Sequence, residues 1–393
     1  MRHEKCPTAK RSERSACAMS RNKDTQVLLL GVTVGVSLVH HAGLPERLRE
    51  RGWKVVIVTT PSLESRELRE KGFEVVDLPM RRDPAPVHDL KSLMMWLRVI
   101  SQVRPDVVLI GTPKASLLGL VAACALGVPV RIYLLHGLRL ETTSGIAFSM
   151  LRTLERITIG ASTRVIAVSN SLSDRALSLR LGPREKIAVL GSGSANGIDL
   201  EQRKFRSRSL ESYSSDGVIG FVGRITVDKG FADFLKALDL LDEWGVRYST
   251  RVVGAPEGTD GDRLLESYKR RGANHRYVGQ VRDVGPEYER ITLLTLPSYR
   301  EGLGMVVLEA GAFGIPSVVS DATGVRDSVI DGETGWVYPV GDFSALAYKL
   351  RDALSNRTEL RRRGNAARDR VSKEFSQVAV QSRLIGYIER LAL

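Results

Sequence analysis

The chain has 393 residues, 43% of them hydrophobic, and 58 Lys and Arg against 45 Asp and Glu leave a net charge of +13. At about 150 residues per domain this is enough apolar material for two cores, while no run of 18 uncharged apolar residues exists to cross a bilayer. The charge selects anionic partners, and nucleic acid is the least favoured: the cations are scattered, aromatic residues make up only 6%, and there is no reading helix or stacking platform.

Residues 1–26 are polar and basic without the apolar centre of a secretory signal. They read as a disordered leader, with Met19 as an alternative start. Cys6, Cys17 and Cys124 show neither metal-ligand nor pairing spacing, as in a reducing cytoplasm. From residue 26 short apolar runs alternate with helix-length segments. Strands are predicted over 26–34, 54–60, 73–78, 106–111, 130–137, 163–169 and 186–190, and helices over 38–51, 87–103, 114–126 and 144–159. Near-continuous apolar strands separated by helices imply a parallel sheet covered on both faces. The stretch Gly191 to Gly217 is rich in Gly, Ser and charge and reads as a hinge and linker. Strands then resume at 218–223, 247–254, 275–279, 291–297, 316–320 and 334–339. The fold class is therefore α/β, with two doubly wound domains, 27–200 and 217–375, joined by a linker at 201–216. A terminal amphipathic helix follows at 376–393.

In such sheets ligands bind beyond the carboxyl ends of the strands, and four stretches occupy that position. In "FVGRITVDKG", Gly223, Arg224 and Lys229 precede a helix; two cations beside a helix N-terminus suit a diphosphate, and a solvated loop is the plainer alternative. In "SYREGLGMVVLEAGAFGIPSVVSD", Gly302, Leu303 and Gly304 lead into an apolar run that carries Glu309, with Glu301 just before the turn. On one helix these two acids would stand roughly 80° and about 12 Å apart, so Glu301 is placed in the loop and Glu309 one to two turns into a helix starting near Gly304. The amides of Gly304, Met305 and Val306 then face a phosphate, and either carboxylate accepts from vicinal hydroxyls. A glutamate serving the helix dipole explains Glu301 but leaves the second acid unaccounted for. His136 ends a strand and is followed by Gly137, which favours a role in the cleft over a satisfied structural histidine; His40 and His41 keep the structural reading. Gly35, in "GVTVGVSL", allows close approach of backbone to ligand.

Three patterns are set aside. "GSGSANG" has no amphipathic helix behind it and no acid at the ribose distance. Asp260 and Asp262 in "TDGD" are better explained by charging a helix start than by a metal. No GxxxxGK[ST] occurs, so ATP hydrolysis has no support.

Together, "GRITVDKG" and "REGLGMVVLEAGAFGIPSVVSD" resemble the family 4 retaining glycosyltransferases, over nearly the whole chain after residue 26. "GTPKASLLGLVAA", "RIYLLHGLRLETT" and "GSGSANGIDL" are similar to a bacterial subgroup that builds capsular, O-antigen and related cell-surface glycans. The resemblance implies the GT-B fold, two Rossmann-like domains facing across a cleft, and a hexosyltransferase that moves sugar from a nucleotide-sugar donor, UDP-linked, with retention. It implies that Arg224 and Lys229 neutralise the donor diphosphate and that the amides at Gly304, Met305 and Val306 meet its distal phosphate. Glu309 would bind the ribose, Glu301 the donor sugar, His136 the sugar or its developing charge, and Val281 and Arg282 the base. The first loop departs from the paired glycines of many members, which puts Gly35 in question. No metal or other cofactor is expected, because prepositioned cations and amides answer the leaving-group charge. The last helix is expected to cross back to the first domain.

For the acceptor, "HDLKSLMMWLRVI" carries apolar residues at Leu90, Leu93, Met94, Trp96, Leu97 and Ile100 beside Lys91 and Arg98. With "MRRDP" before it, this reads either as an ordinary packing helix or as a surface for an anionic membrane. The second reading places a peripheral enzyme on the cytoplasmic face, acting on a polyprenyl-diphosphate-linked saccharide. A sugar-nucleotide epimerase of the same architecture and a non-catalytic nucleotide-binding scaffold are the alternatives. Donor sugar, acceptor, linkage and oligomeric state are not encoded in any residue pattern.

Overall fold

The computed structural model of the chain describes residues 25–81, 83, 85–201 and 217–393. Residues 1–24 of the expected leader over 1–26, with Cys6, Cys17 and Met19, lie outside the described residues, as do residues 82 and 84 and residues 202–216 of the expected linker over 201–216. All thirteen predicted strands form. The first domain holds β1 (Val27–Gly31), β2 (Lys54–Thr59), β3 (Glu74–Asp77), β4 (Val107–Ile110), β5 (Val130–Leu135), β6 (Arg164–Ala167) and β7 (Ile187–Ala188). The second holds β8 (Gly217–Val222), β9 (Tyr248–Val253), β10 (His275–Gly279), β11 (Leu293–Leu296), β12 (Ser317–Ser320) and β13 (Gly335–Tyr338). Every pairing is parallel, in the orders β3-β2-β1-β4-β5-β6-β7 and β10-β9-β8-β11-β12-β13. In each sheet the first strand sits between the second and the fourth, so the winding reverses at β1/β4 and at β8/β11. A crevice opens beyond the carboxyl ends at such points.

The apolar runs form buried strands because both sheet faces are covered. All five residues of β1 are buried, and Trp96, fully buried, lies over its end. That packing depends on two glycines: a Cβ at Gly31 would stand 2.8 Å from Cη2 of Trp96, and one at Gly119 would stand 3.3 Å from its Cε2. The helix predicted over 38–51 is broken into a 3₁₀ turn, Gly35–His41, and a helix, Leu44–Glu50. Gly43 between them is left-handed at φ 79°, and Pro45 restarts the helix. The helix Pro86–Val103 divides its apolar residues between two faces: Trp96, Val99 and Ile100 enter the core, while Val87, Leu90 and Met94 are 68%, 62% and 60% exposed.

The last helix, Gln377–Ala392, returns to the first domain. The side-chain amides of Gln377 and Gln381 donate to the Ala42 carbonyl at 3.1 and 2.8 Å. Ile385 and Ile388 join the first domain's core. No helix among the described residues is long and apolar enough to cross a membrane.

One buried pair gives the fold a pH signature. The Tyr133 hydroxyl on β5 donates to Glu155 Oε2 at 3.1 Å. Burial raises the Glu155 carboxyl from 4.5 to about 7, against the opposing effect of that hydrogen bond. A raised carboxyl retains its proton in the folded chain where the unfolded chain has released it, so stability falls as pH rises from about 4.5 to about 7 and is level above. Glu155→Gln is therefore expected to match the parent in melting temperature near pH 4.5 and to exceed it at pH 8. The gain is at most about 3 kcal/mol, and an equal difference at both pH values would refute the assignment.

Candidate active site

The site is assembled from strand ends. Its second-domain wall straddles the β8/β11 reversal, with Gly223 and Arg224 following β8 and the Ser298–Gly304 loop following β11. Gly230, left-handed at φ 70°, brings these two loops together, because any Cβ there would collide with the Pro297 carbonyl. The first-domain wall is the end of β5, where His136 follows Leu135. Gly302 closes the two walls against each other: a side chain at that position would run into the His136 carbonyl, and the Ser169 hydroxyl donates to the Gly302 carbonyl at 2.7 Å. Farther along the seam, the Gly324 amide donates to Ser171 Oγ at 2.7 Å and the Thr323 hydroxyl to Glu141 Oε1 at 2.8 Å.

Between the walls lies a cleft of about 940 Å³ that takes in ten of the fourteen predicted residues: His136, Gly223, Arg224, Lys229, Glu301, Gly302, Leu303, Met305, Val306 and Glu309. Its cations are held by the chain's own acids. Lys229 Nζ is bonded to Glu301 Oε1, with both side chains 18% exposed, and the Ser298 hydroxyl donates to the same oxygen at 3.1 Å. Arg224, 49% exposed, is bonded to Glu257 and stands 3.8 Å from Asp228. Burial pushes the Asp228 carboxyl up, but the Thr226 hydroxyl at 2.5 Å and the nearby Arg224, Arg300 and Lys229 outweigh it and hold the group below its ordinary value. Each of these cations is thus already paired with an acid. Glu309 lies within the helix Met305–Ala312 and accepts from the Tyr288 hydroxyl at 2.9 Å. Glu301 in the loop and Glu309 in the helix is the division that the spacing predicts.

Four predicted residues are placed differently. Gly35 packs against the Ser62 side chain, which caps the helix Leu63–Glu70, and does not line the cleft. Its missing side chain makes room for protein rather than ligand. Val281 packs on the apolar cluster of the second sheet and Arg282 is exposed, and neither lines the cleft. Gly304 caps the helix from behind the cleft, with its amide donating to the Gly324 carbonyl at 3.2 Å, and the Met305 amide donates to the Leu303 carbonyl at 2.7 Å. Of the three amides assigned to a phosphate, the Val306 amide is the one these loop bonds do not occupy.

Several cleft residues were absent from the predicted set. The segment 191–197, read as a hinge, packs beneath the cleft: the Ser194 amide donates to the Val168 carbonyl at 2.7 Å, and Ala195, Asn196 and Gly197 line the floor. The three glycines and Ser194 in this segment have positive φ, and the glycine run was its one signal in the sequence. Tyr288, fully buried and outside the cleft lining, carried no signal, since its hydroxyl reaches Glu309 only through the fold. His40 lines the cleft and His41 is buried behind it, both against His136. Asp260 and Asp262 occupy the start of the helix Gly258–Lys269, with Asp260 3.7 Å from Arg263. Among the described residues no three His, Cys, Asp or Glu side chains are arranged to hold a metal.

Comparison with known proteins agrees with this architecture. Residues 202–370 match the family described as glycosyl transferases group 1, and residues 39–193 match the glycosyl transferase 4-like domain. The capsular polysaccharide biosynthesis glycosyltransferase CapM of Staphylococcus aureus is 33% identical over 90% of this chain and 94% of its own. The N,N'-diacetylbacillosaminyl-diphospho-undecaprenol alpha-1,3-N-acetylgalactosaminyltransferase of Campylobacter jejuni is 23% identical over 87% and 93%. The crystal structure of HepE from Anabaena in complex with UDP superposes with a TM-score of 0.73 at 18% identity, covering 93% of this chain and all of that one.

Proposed function

The chain belongs to the group 1 glycosyl transferases, enzymes of the hexosyl-transferring kind, and from that premise we propose that it moves a sugar from a UDP-linked donor to a polyprenyl-diphosphate-linked saccharide during cell-surface polysaccharide assembly. The observation that carries this reading is the pairing, on one wall, of cations for a diphosphate (Arg224 and Lys229) with carboxylates for hydroxyls (Glu301 and Glu309). Cleavage of the glycosyl–phosphate bond leaves negative charge on the diphosphate and positive charge on the sugar. Lys229, Arg224 and the helix opening at Met305 answer the first without a metal, because fixed cations in a cleft need no reorganisation as charge develops. Glu309 takes the ribose diol. Glu301 and His136 hold the sugar from opposite domains; the acceptor hydroxyl attacks on the face that the diphosphate leaves, its proton passes to the departing phosphate oxygen, and configuration is retained. The acceptor reading is supported by the lipid-linked substrate in the name of the Campylobacter relative. It is also supported by the exposed Val87, Leu90 and Met94, set beside Lys91 and Arg98 on one helix, as a peripheral surface for anionic lipid.

The test is a thermal-shift panel of UDP-glucose, UDP-galactose, UDP-N-acetylglucosamine, UDP-N-acetylgalactosamine and GDP-mannose, each at 100 times its Kd or at millimolar concentration. A bound donor at that excess stabilises by about 2.7 kcal/mol. The reading expects one UDP-sugar to raise the melting temperature and the protein to co-sediment with phosphatidylglycerol vesicles, with Leu90→Asp/Met94→Asp losing the vesicles but keeping the donor. No shift with any member, or isomerised sugar formed without acceptor, would overturn it.

A further inference from the structure

We propose that Gly111, together with the imidazoles of His40 and His41, seats the His136 ring, which makes Gly111 a positioning residue of the transfer site. Gly111 directly follows β4, the neighbour of the strand that ends at His136. Its backbone is not in the left-handed region, so its conformation would admit any residue. What excludes a side chain is His136 itself. A Cβ at Gly111 would fall inside contact distance of Nε2, 2.8 Å from Cδ2 and 3.3 Å from the Leu134 carbonyl. The imidazole therefore lies on the Gly111 backbone, with Nε2 buried and without a hydrogen-bond partner.

The other sides of the seat are rings. His40 stands 5.4 Å from His136, centroid to centroid, tilted by 38°, and His41 meets it edge-on at 6.0 Å and 79°. His41 is 1% exposed and neither of its ring nitrogens has a partner. It works here as a flat filler of the space behind His136. Burial, and then the neighbouring His41 and His40, hold the His136 pKa well below 6.5. A neutral imidazole has one donor and one acceptor nitrogen, so its orientation decides which of them meets the substrate. A ring kept neutral is useful only if it is also kept from turning, and the seat does that. None of this geometry uses the donor-side cations.

The proposal rests on the reading of His136 as a sugar contact, and the experiment separates the two. Gly111→Ala, His136→Ala and the double variant are compared by UDP release from UDP-galactose, by melting temperature and by the ¹⁵N resonances of the histidine rings. Gly111→Ala is expected to lower kcat about 10- to 100-fold, the cost of misplacing a reacting group by about 1 Å, with donor KM within about twofold and the His136 resonances shifted. It adds nothing in the His136→Ala background, because there is no ring left to displace. Additive losses in the double variant, or unchanged kcat with unshifted resonances, would overturn the proposal. If Gly111→Ala does not fold, His41→Leu takes its place in the same cycle with the same expectations. If His136→Ala retains full turnover, the role of His136 is what fails; in that case, or if UDP-galactose is not turned over, the resonance shift alone decides whether the seat exists.

Discussion

Lys229→Ala is expected to lower kcat by about 10²–10³-fold, the range found when a fixed charge-stabilising group is removed from a developing anion. The magnitude follows from placement. Lys229 is only 18% exposed and is held by Glu301, so its charge acts in a poorly hydrated space where attraction to the leaving diphosphate is strong. It is in position before the donor arrives. Arg224, 49% exposed and already bonded to Glu257, acts through solvent and must exchange one anion for another. Arg224→Ala is therefore expected to cost about tenfold, and the ratio between the two variants is the test. Equal losses would mean that burial does not set the contribution, and a larger loss for Arg224 would move the diphosphate to the outer edge of the cleft. Lys229→Arg is not a rescue, because a planar guanidinium cannot occupy the compact position of an ammonium between Glu301 and the phosphate.

Glu309→Ala is expected to act on binding, raising donor KM about 10- to 100-fold with kcat within a few-fold. A carboxylate that accepts from two ribose hydroxyls makes the same contact before and during reaction, so its removal is felt in affinity. Charge-assisted hydrogen bonds of this kind contribute about 1.5–3 kcal/mol. The Tyr288 hydroxyl, 2.9 Å from Oε2, restricts the carboxylate, so Tyr288→Phe moves KM in the same direction by a smaller factor. A collapse of kcat at constant KM would place Glu309 at the reacting carbon and exchange its role with that of Glu301.

The division of labour between these residues follows from where each lies relative to the helix Met305–Ala312. Glu301 precedes it and meets Lys229 across the gap between two loops, whereas Glu309 is carried on its second turn toward Tyr288. The seven intervening residues let one short segment present a carboxylate at two points of the cleft. They include the buried Val307 and Leu308, which fix the helix to the core, so the distance between the acids is set by packing and cannot drift.

Legibility differed by residue for physical reasons. The placement of His136, Arg224 and Glu301 beyond strand ends was visible because a parallel strand and its carboxyl end are local features, marked by an unbroken apolar run and then a polar residue or glycine. Gly35 met the same local criterion and misled, since whether a glycine faces ligand or protein depends on Ser62, a residue 27 positions away, on another helix. Val281 and Arg282 also follow a strand, yet neither lines the cleft, and no local pattern reports the direction of a loop. His40 and His41 looked ordinary in a helix-length segment. The left-handed Gly43 ended that segment early and turned both rings toward a strand end almost a hundred residues later.

The amino-acid sequence by itself determined the two parallel sheets, their strands and the polarity of the site wall, because alternating apolar runs and strand-end residues act over a few neighbours and need no partner to be recognised. Only the tertiary structure decided which cation is buried and which is screened, which amides are taken up by loop bonds, and that three histidines and a glycine meet. Those properties belong to surfaces brought together from distant parts of the chain, where ångström-scale packing settles what local chemistry leaves open.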